Sequence, residues 1–234
     1  MLPPDKSSRD LRHRSRGGGD GSARSLGAVH PPPPLPRFDA VVLAGGRASR
    51  LGGAVKPLLR HRESTLLGAA LAAVRGAERR VVAGPPSLAA AVDGAELVQE
   101  DPPFGGPVAG ISSALPLLER AGAPEWVVVL AADLVAPGPA VRLLLEEAAS
   151  AVEDSLLAVD DDGRPQQLLG VHRRSALVDA LAALGDPDGA SARVLLRDLS
   201  VRLVAVPAGT TDDVDAPADA LRHGIDLPGP RGAD

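Results

Sequence analysis

An α/β fold is the class this 234-residue sequence predicts, in the form of a three-layer αβα Rossmann-like sandwich with a mostly parallel central sheet. Three observations predict it. From Phe38 onward, short apolar runs alternate with longer segments rich in Ala and Leu, the rhythm of strand–helix units. Runs such as "FDAVVLA" and "EWVVVLAAD" are apolar nearly throughout, as expected of strands buried under helices on both faces. Aromatic residues are nearly absent (Phe 2, Trp 1, Tyr 0), so the core must be built from Ala, Val and Leu, which suits helices packed on a buried sheet.

In chain order, "FDAVVLA" is the first strand. "STLLGAALAAVRG" is a helix with Ser64 or Thr65 as cap and Gly76 as stop. "RRVVAG" gives a second strand and "PSLAAAV" a short helix with proline at its start. "AELVQE" is a third strand, "GPVAGISSALPLLERAG" a third helix and "EWVVVLAAD" a fourth strand. "GPAVRLLLEEAAS" is a further helix. "SLLAVDDDGRPQQLLGVH" reads as two strands around an Asp-Asp-Gly turn, hence a hairpin. "RRSALVDALAALG" and "SARVLLRDL" are helices, the second with Ser191 as N-cap. "VRLVAVP" is the last strand, and "APADALRHG" a final helix with Pro217 near its start.

Residues 1–36 read as a disordered tail rich in Pro, Gly and Arg, with "PPPPLP" as a polyproline II spacer. Residues 37–224 form the folded domain, and 225–234 a flexible C-terminal tail. The formal charge of −5, from 25 Lys and Arg against 30 Asp and Glu, makes a poor general ligand for nucleic acid or anionic membranes. Any anionic ligand must be held by a local cationic patch. The lack of cysteine excludes disulfides, zinc knuckles and a thiol nucleophile. With neither a spanning segment nor an apolar leader, the expected location is the cytoplasm, with no membrane or nucleic-acid partner.

Parallel sheets bind ligands beyond the carboxyl ends of their strands, and the polar signals of this chain cluster there. The first strand runs out through Leu43 and Ala44 into Gly45–Gly46, followed by Arg47, Arg50 and Lys56. Paired glycines let the backbone approach a ligand and offer N–H donors, while several cations offset a triphosphate. The loop is neither the dinucleotide fingerprint nor the Walker-type phosphate loop. The fourth strand delivers Asp133 to the same edge, where a carboxylate and substrate phosphates can share Mg²⁺. "QEDPPFGGPVAG" places Asp101 ahead of Gly105–Gly106–Pro107, with Pro107 at the first helical position.

Taken in order, these segments resemble the signatures of the nucleotidyltransferases typified by molybdenum cofactor guanylyltransferase. "LAGGRASRLGGAVKPLL" is similar to that family's opening loop, "GGPVAG" to its Gly-Pro-Leu/Val-Ala-Gly loop, and "LAADLVAP" to its strand-end Asp. "GRPQQLLGVHRRSAL" and "DDVDAPADAL" are similar to its two closing segments.

The resemblance implies a nucleotide-diphospho-sugar transferase type of fold. It also implies Mg-dependent transfer of GMP from GTP to the phosphate of molybdopterin, releasing pyrophosphate. Arg50, Lys56 and Asp133 would be catalytic, with Mg²⁺ on Asp133. Leu43, Ala44, Gly45, Gly46, Arg47, Lys56, Asp101, Gly106 and Pro107 would hold the nucleotide. Arg164, Gln166, Asp213 and Asp215 would face the acceptor phosphate or a metal-bound water, in a monomer or weak oligomer. Cytidylyl transfer, transfer to a sugar phosphate or other metabolite, and a degenerate nucleotide-binding module are the alternatives.

Three departures from the family pattern carry expectations. Val55 stands where the family has Asp, so Lys56 is expected to be held less firmly. Ala216 replaces a capping Thr, a loss of roughly 1 kcal/mol. His172 replaces an aromatic and is expected to be a partly exposed strand residue rather than a catalyst.

Overall fold

A computed structural model describes residues 34–46 and 55–227. Nine strands and six α-helices are laid out along them: β1 (Phe38–Leu43), β2 (Arg60–His61), β3 (Ser64–Thr65), α1 (Leu66–Ala73), β4 (Arg80–Ala83), β5 (Glu96–Val98), α2 (Pro107–Ala114), β6 (Trp126–Ala131), α3 (Gly138–Ala148), β7 (Ser155–Val159), β8 (Pro165–Arg173), α4 (Arg174–Leu184), α5 (Ala192–Leu195), β9 (Val201–Ala205) and α6 (Pro217–Arg222). Among these helices, none is long and apolar enough to cross a membrane.

Seven strands form one sheet in the order β5-β4-β1-β6-β8-β7-β9. All run parallel except β8, which is antiparallel to β6 on one side and to β7 on the other. The expected hairpin is the β7–β8 pair, with a register shift between Leu157 and Ala158. It returns the chain to the middle of the sheet, so β8 rather than β7 lies against β6.

The three layers follow from side-chain alternation along the strands. Ala40 and Val42 of β1, with Val128 and Leu130 of β6, pack with Leu67 and Leu71 of α1 and Leu144 of α3. Val41, Val127 and Val129 turn the other way, toward Ile111 of α2, Leu177 of α4 and Leu195 of α5. Both faces are buried, so both registers of β1 and β6 are apolar apart from Asp39.

The edges of the elements differ from the sequence expectation where local chemistry intervenes. Thr65 is the N-cap of α1, its hydroxyl accepting from the Gly68 N–H at 3.0 Å, but the helix stops at Ala73, ahead of Gly76. Helix α2 gives way at Leu115 to a 3₁₀ turn that accommodates Pro116, which cannot donate to an α-helical ladder. "PSLAAAV" winds as a 3₁₀ helix over Pro86–Ala91, and α5 is a single turn capped by Ser191. The two-residue strands β2 and β3, a small separate ladder ahead of α1, carry too little periodicity to be read from sequence.

His172 corrects an expectation. It is 1% exposed, because β8 is an interior strand and His172 stands in register with Val127 and Ser155 under the α2/α4/α5 layer. Its Nδ1 is 2.9 Å from the Ser155 hydroxyl. Burial pushes its pKa down to about 4, so the ring is neutral near pH 7.

At the opposite end of the sheet from the Gly45–Gly46 loop, the fully buried Asp39 ties three elements together. Its carboxylate accepts from Arg120 at 2.7 and 3.0 Å, from the Arg79 N–H at 2.9 Å, and from Arg174 at the start of α4.

Candidate active site

Two cavities open at the carboxyl ends of β1, β4 and β6, and they share the Leu43, Gly45, Gly46 and Asp133 walls. Parallel ladder bonds carry these strand ends outward in step: Ala44 N–H donates to Ala83 O at 2.7 Å, and Ala132 N–H to Leu43 O at 2.9 Å. The chain then leaves β1 through Gly46 at φ +122°, a backbone conformation that side-chain-bearing residues rarely adopt.

The first cavity, about 260 Å³, is enclosed by aliphatic groups of Leu43, Ala83, Ala131 and Leu168, by Pro107 and Gly110 of α2, and by Gly106. Gly106 precedes α2 at φ +92°, with Pro107 at the first helical position. Besides the shared Asp133, one carboxylate, Glu100, lines this largely apolar space. It is 7% exposed, and its Oε1 accepts from the Phe104 N–H at 3.0 Å. Phe104 closes the rim.

The second cavity, about 330 Å³, is lined by Gly45, Gly46, Lys56, Ser87, Asp133 and Asp215, among others. Lys56 Nζ lies 2.6 Å from Asp133 Oδ2 and 2.6 Å from Asp215 Oδ1. Burial acts to lower the Lys56 pKa, but the charges and hydrogen bonds of Asp133 and Asp215 outweigh it and raise the value above normal. The lysine is therefore cationic, and it is held firmly. Val55 supplies no charge to Lys56; its partners are carboxylates distant in sequence, not a neighbour in the loop.

The ladder after β6 explains how Asp215 arrives there. Val135 N–H donates to Asp212 O at 2.9 Å, and Leu134 bridges Asp213, so segment 212–215 is zipped alongside the strand that carries Asp133. Helix α6 follows at once. Ala216 has no capping oxygen, but Asp219 reaches back to accept from the Ala216 N–H at 2.8 Å and the Asp215 N–H at 3.2 Å, which fixes the Asp215 backbone. Asp133 itself does not cap a helix, since Pro137 occupies the N-cap of α3.

Of the expected nucleotide residues, Leu43, Ala44, Gly45, Gly46, Lys56, Gly106 and Pro107 all line one or both cavities. Arg47 and Arg50 lie outside the described residues. Asp101 is exposed and lines neither cavity; the neighbouring Glu100 takes the inward place. Glu100 and Phe104 were missed by sequence reasoning. Their signal was present but faint: a carboxylate at the end of a strand, and one of only two phenylalanines set between Pro102–Pro103 and Gly105–Gly106.

The expected acceptor residues do not form one pocket. Gln166 and Asp213 line a separate cavity of about 300 Å³ with Asp160, Asp161, Asp162 and Asp212. Arg164 is exposed on the hairpin turn and paired with Asp162 at 3.0 Å, and Asp215 faces Lys56 instead. The acidic lining suits a cation more readily than a bare phosphate. Partial desolvation, with Asp215 and Asp133 nearby, raises the Asp213 carboxyl above its ordinary value.

Two carboxylates on one ammonium show that Asp133 and Asp215 converge on a single cationic centre. That donor set also suits a divalent ion shared with phosphate oxygens. Among the described residues, no group of three or more His, Cys, Asp or Glu side chains is arranged to hold a metal by itself.

The family described as MobA-like NTP transferase domain matches residues 40–204, which includes both glycine-rich loops and Asp133. The chain is 31% identical over 146 residues to the molybdenum cofactor guanylyltransferase of Pseudomonas syringae pv. syringae (strain B728a), covering 60% of this chain and 69% of that protein. It is 27% identical over 155 residues to the enzyme of the same name from Shewanella loihica (strain ATCC BAA-1088 / PV-4), covering 64% and 76%. Among solved structures, the Mycobacterium tuberculosis rv0371c homolog from Mycobacterium sp. strain JC1 superposes with a TM-score of 0.64 at 25% identity, covering 80% of this chain and 94% of that one. The family match runs from β1 to β9, across the whole seven-stranded sheet and well over half of the chain: the chain belongs to the MobA-like NTP transferase domain family.

Proposed function

We propose that the protein transfers GMP from GTP to the phosphate of molybdopterin. The observation that carries the reading is the junction of the two cavities. A largely apolar, base-sized space that holds Glu100 adjoins, across Gly45–Gly46 and the shared Asp133, a space holding Lys56 between Asp133 and Asp215. A nucleoside triphosphate has the same polarity, with a flat base at one end and clustered negative charge at the other.

Glu100 supports guanine. An ionised carboxylate only accepts hydrogen bonds, and guanine presents two adjacent donors, N1–H and the exocyclic amino group. Cytosine offers its amino group beside an acceptor, which a carboxylate repels. The names of the Pseudomonas and Shewanella relatives support molybdopterin as acceptor.

In the proposed reaction an acceptor phosphate oxygen bonds to the α-phosphorus of GTP, the bond from that phosphorus to the bridging oxygen breaks, and pyrophosphate leaves. A phosphate nucleophile is already ionised at neutral pH, so no general base is required, and the protein's task is positioning and charge stabilisation. The Gly45–Gly46 backbone lets the nucleotide lie close to the sheet edge. Lys56, kept cationic by its carboxylate partners, offsets the charge that develops on the leaving pyrophosphate. Asp133 and Asp215 would hold Mg²⁺, which when bound would neutralise phosphate oxygens.

The test is pyrophosphate release from GTP in the presence of molybdopterin and Mg²⁺, with Asp133→Ala as control. Acceptor-dependent release by the wild type and its loss in the variant are expected. Release from CTP in preference to GTP would contradict the guanine reading, and release from no nucleotide would contradict transfer itself.

A further inference from the structure

We infer that Phe104 is the shelf on which the nucleobase stacks, and so a base-positioning residue of the site; the inference rests on the nucleotide reading above. The chain has two Phe, one Trp and no Tyr. Phe38 and Trp126 are spent on the core, at 5% and 4% exposure. Phe104 is 53% exposed on the rim of the cavity that holds Glu100, and it is the one aromatic ring among the residues lining that cavity. The remaining walls are aliphatic side chains, glycines and the carboxylates of Glu100 and Asp133, and offer a purine no π-face.

The backbone points the same way. Phe104 sits at φ +69°, a left-handed conformation that is rare for a bulky residue and that glycine would occupy without strain. Glycine follows directly at 105 and 106, yet 104 carries a large ring. Two of the contacts that hold this conformation are hydrogen bonds of the backbone. The Phe104 N–H donates to Glu100 Oε1 at 3.0 Å, and Gly105 O accepts from the Gly189 N–H at 2.8 Å, which ties the turn to the loop ahead of α5. Strain of this kind persists where the surroundings enforce it, commonly at ligand clamps. Glu100 thus has two tasks: one oxygen fixes the shelf, and the carboxylate faces the base edge.

Stacking and edge recognition then divide the work. An aromatic face is tolerant of base identity, because every base has a π-face, whereas a carboxylate selects an edge rich in donors. Phe104 sets how tightly any nucleotide is held at its base, and Glu100 sets which base is preferred.

The experiment compares GTP with inorganic tripolyphosphate, which has the phosphates and no base, by calorimetry with Mg²⁺ present. The variants are Phe104→Gly, which removes the ring and relieves the backbone, Phe104→Leu, which keeps apolar bulk without a π-face, and Phe104→Trp. Stacking on an aromatic predicts that GTP affinity falls roughly tenfold or more in the Gly variant. A smaller loss is expected in the Leu variant, none in the Trp variant, and tripolyphosphate affinity should not change in any of them. Unaltered GTP affinity in the Gly and Leu variants overturns the shelf. Equal losses for GTP and tripolyphosphate also overturn it, since the ring would then act through the loop and not on the base. A wild-type protein that binds tripolyphosphate but has no preference for GTP defeats the nucleotide reading itself, a result distinct from either.

Discussion

Substituting His172 by Gln tests whether this side chain is buried on an interior strand. His172 has a pKa of about 4 in the fold, against an ordinary value of 6.5, and burial is the sole cause. Between those values the unfolded chain binds a proton that the native protein refuses, so stability falls as the pH falls. The contribution is fully present above pH 6.5 and is lost progressively as the pH drops toward 4. A depression from 6.5 to about 4 corresponds to about 3 kcal/mol in total. Of this, about 2 kcal/mol is lost between pH 7 and pH 5, the range in which denaturant titrations are practical.

Other groups also weaken the fold in acid. Hydrogen bonds from Arg37 and Arg120 hold the Glu78 carboxyl below its normal value, and those from Ser200 do the same for Asp154. These remain in the variant and titrate lower, so the difference between wild type and His172→Gln isolates the histidine. Urea unfolding at pH 7 and pH 5 should show the wild type losing about 2 kcal/mol more than the variant. Equal losses, within about 0.5 kcal/mol, would refute the buried neutral imidazole and with it the interior placement of β8.

Three further outcomes follow from other parts of the molecule. Asp39→Ala should lower stability by about 3–5 kcal/mol in denaturant unfolding, because Arg120 and Arg174 lose the buried carboxylate that compensates them. Ala216→Thr should raise the thermal midpoint by roughly 2–4 °C, since a hydroxyl there completes the capping pair that Asp219 has half-built. Lys56→Met should reduce turnover about 100-fold or more, the size typical of removing one pre-placed charge-stabilising donor. It should also tighten Mn²⁺ binding in the absence of nucleotide, read by paramagnetic resonance, because the ammonium no longer occupies the space between Asp133 and Asp215.

The layers of the fold were legible because β1 and β6 are apolar nearly throughout and every helix but α4 begins with proline or a hydroxyl cap. The hairpin was legible from Asp-Asp-Gly, but its return to lie beside β6 was not, since nothing in a strand's own composition names its neighbour. That same ignorance misplaced His172: one polar residue near the end of a strand looks exposed until the strand is known to be interior. At the site, Gly45, Gly46, Lys56, Asp133, Gly106 and Pro107 were found because glycine, proline and strand-end carboxylates carry backbone meaning. Glu100 was hidden behind Asp101, because a turn of one residue decides which of two adjacent carboxylates faces inward. The grip on Lys56 was hidden for a different reason. It joins residues 56, 133 and 215, and only the ladder between segment 212–215 and the chain after β6 brings them together.

Calorimetric titration with GTP, CTP, ATP and UTP, each with Mg²⁺ and again with the metal chelated, tests the central claim most directly. Selective binding of GTP that weakens when the metal is removed is the predicted result. Equal affinity for all four nucleotides, or a preference for CTP, would contradict the role given to Glu100, and binding of none would contradict the assignment of the paired cavities to a nucleoside triphosphate.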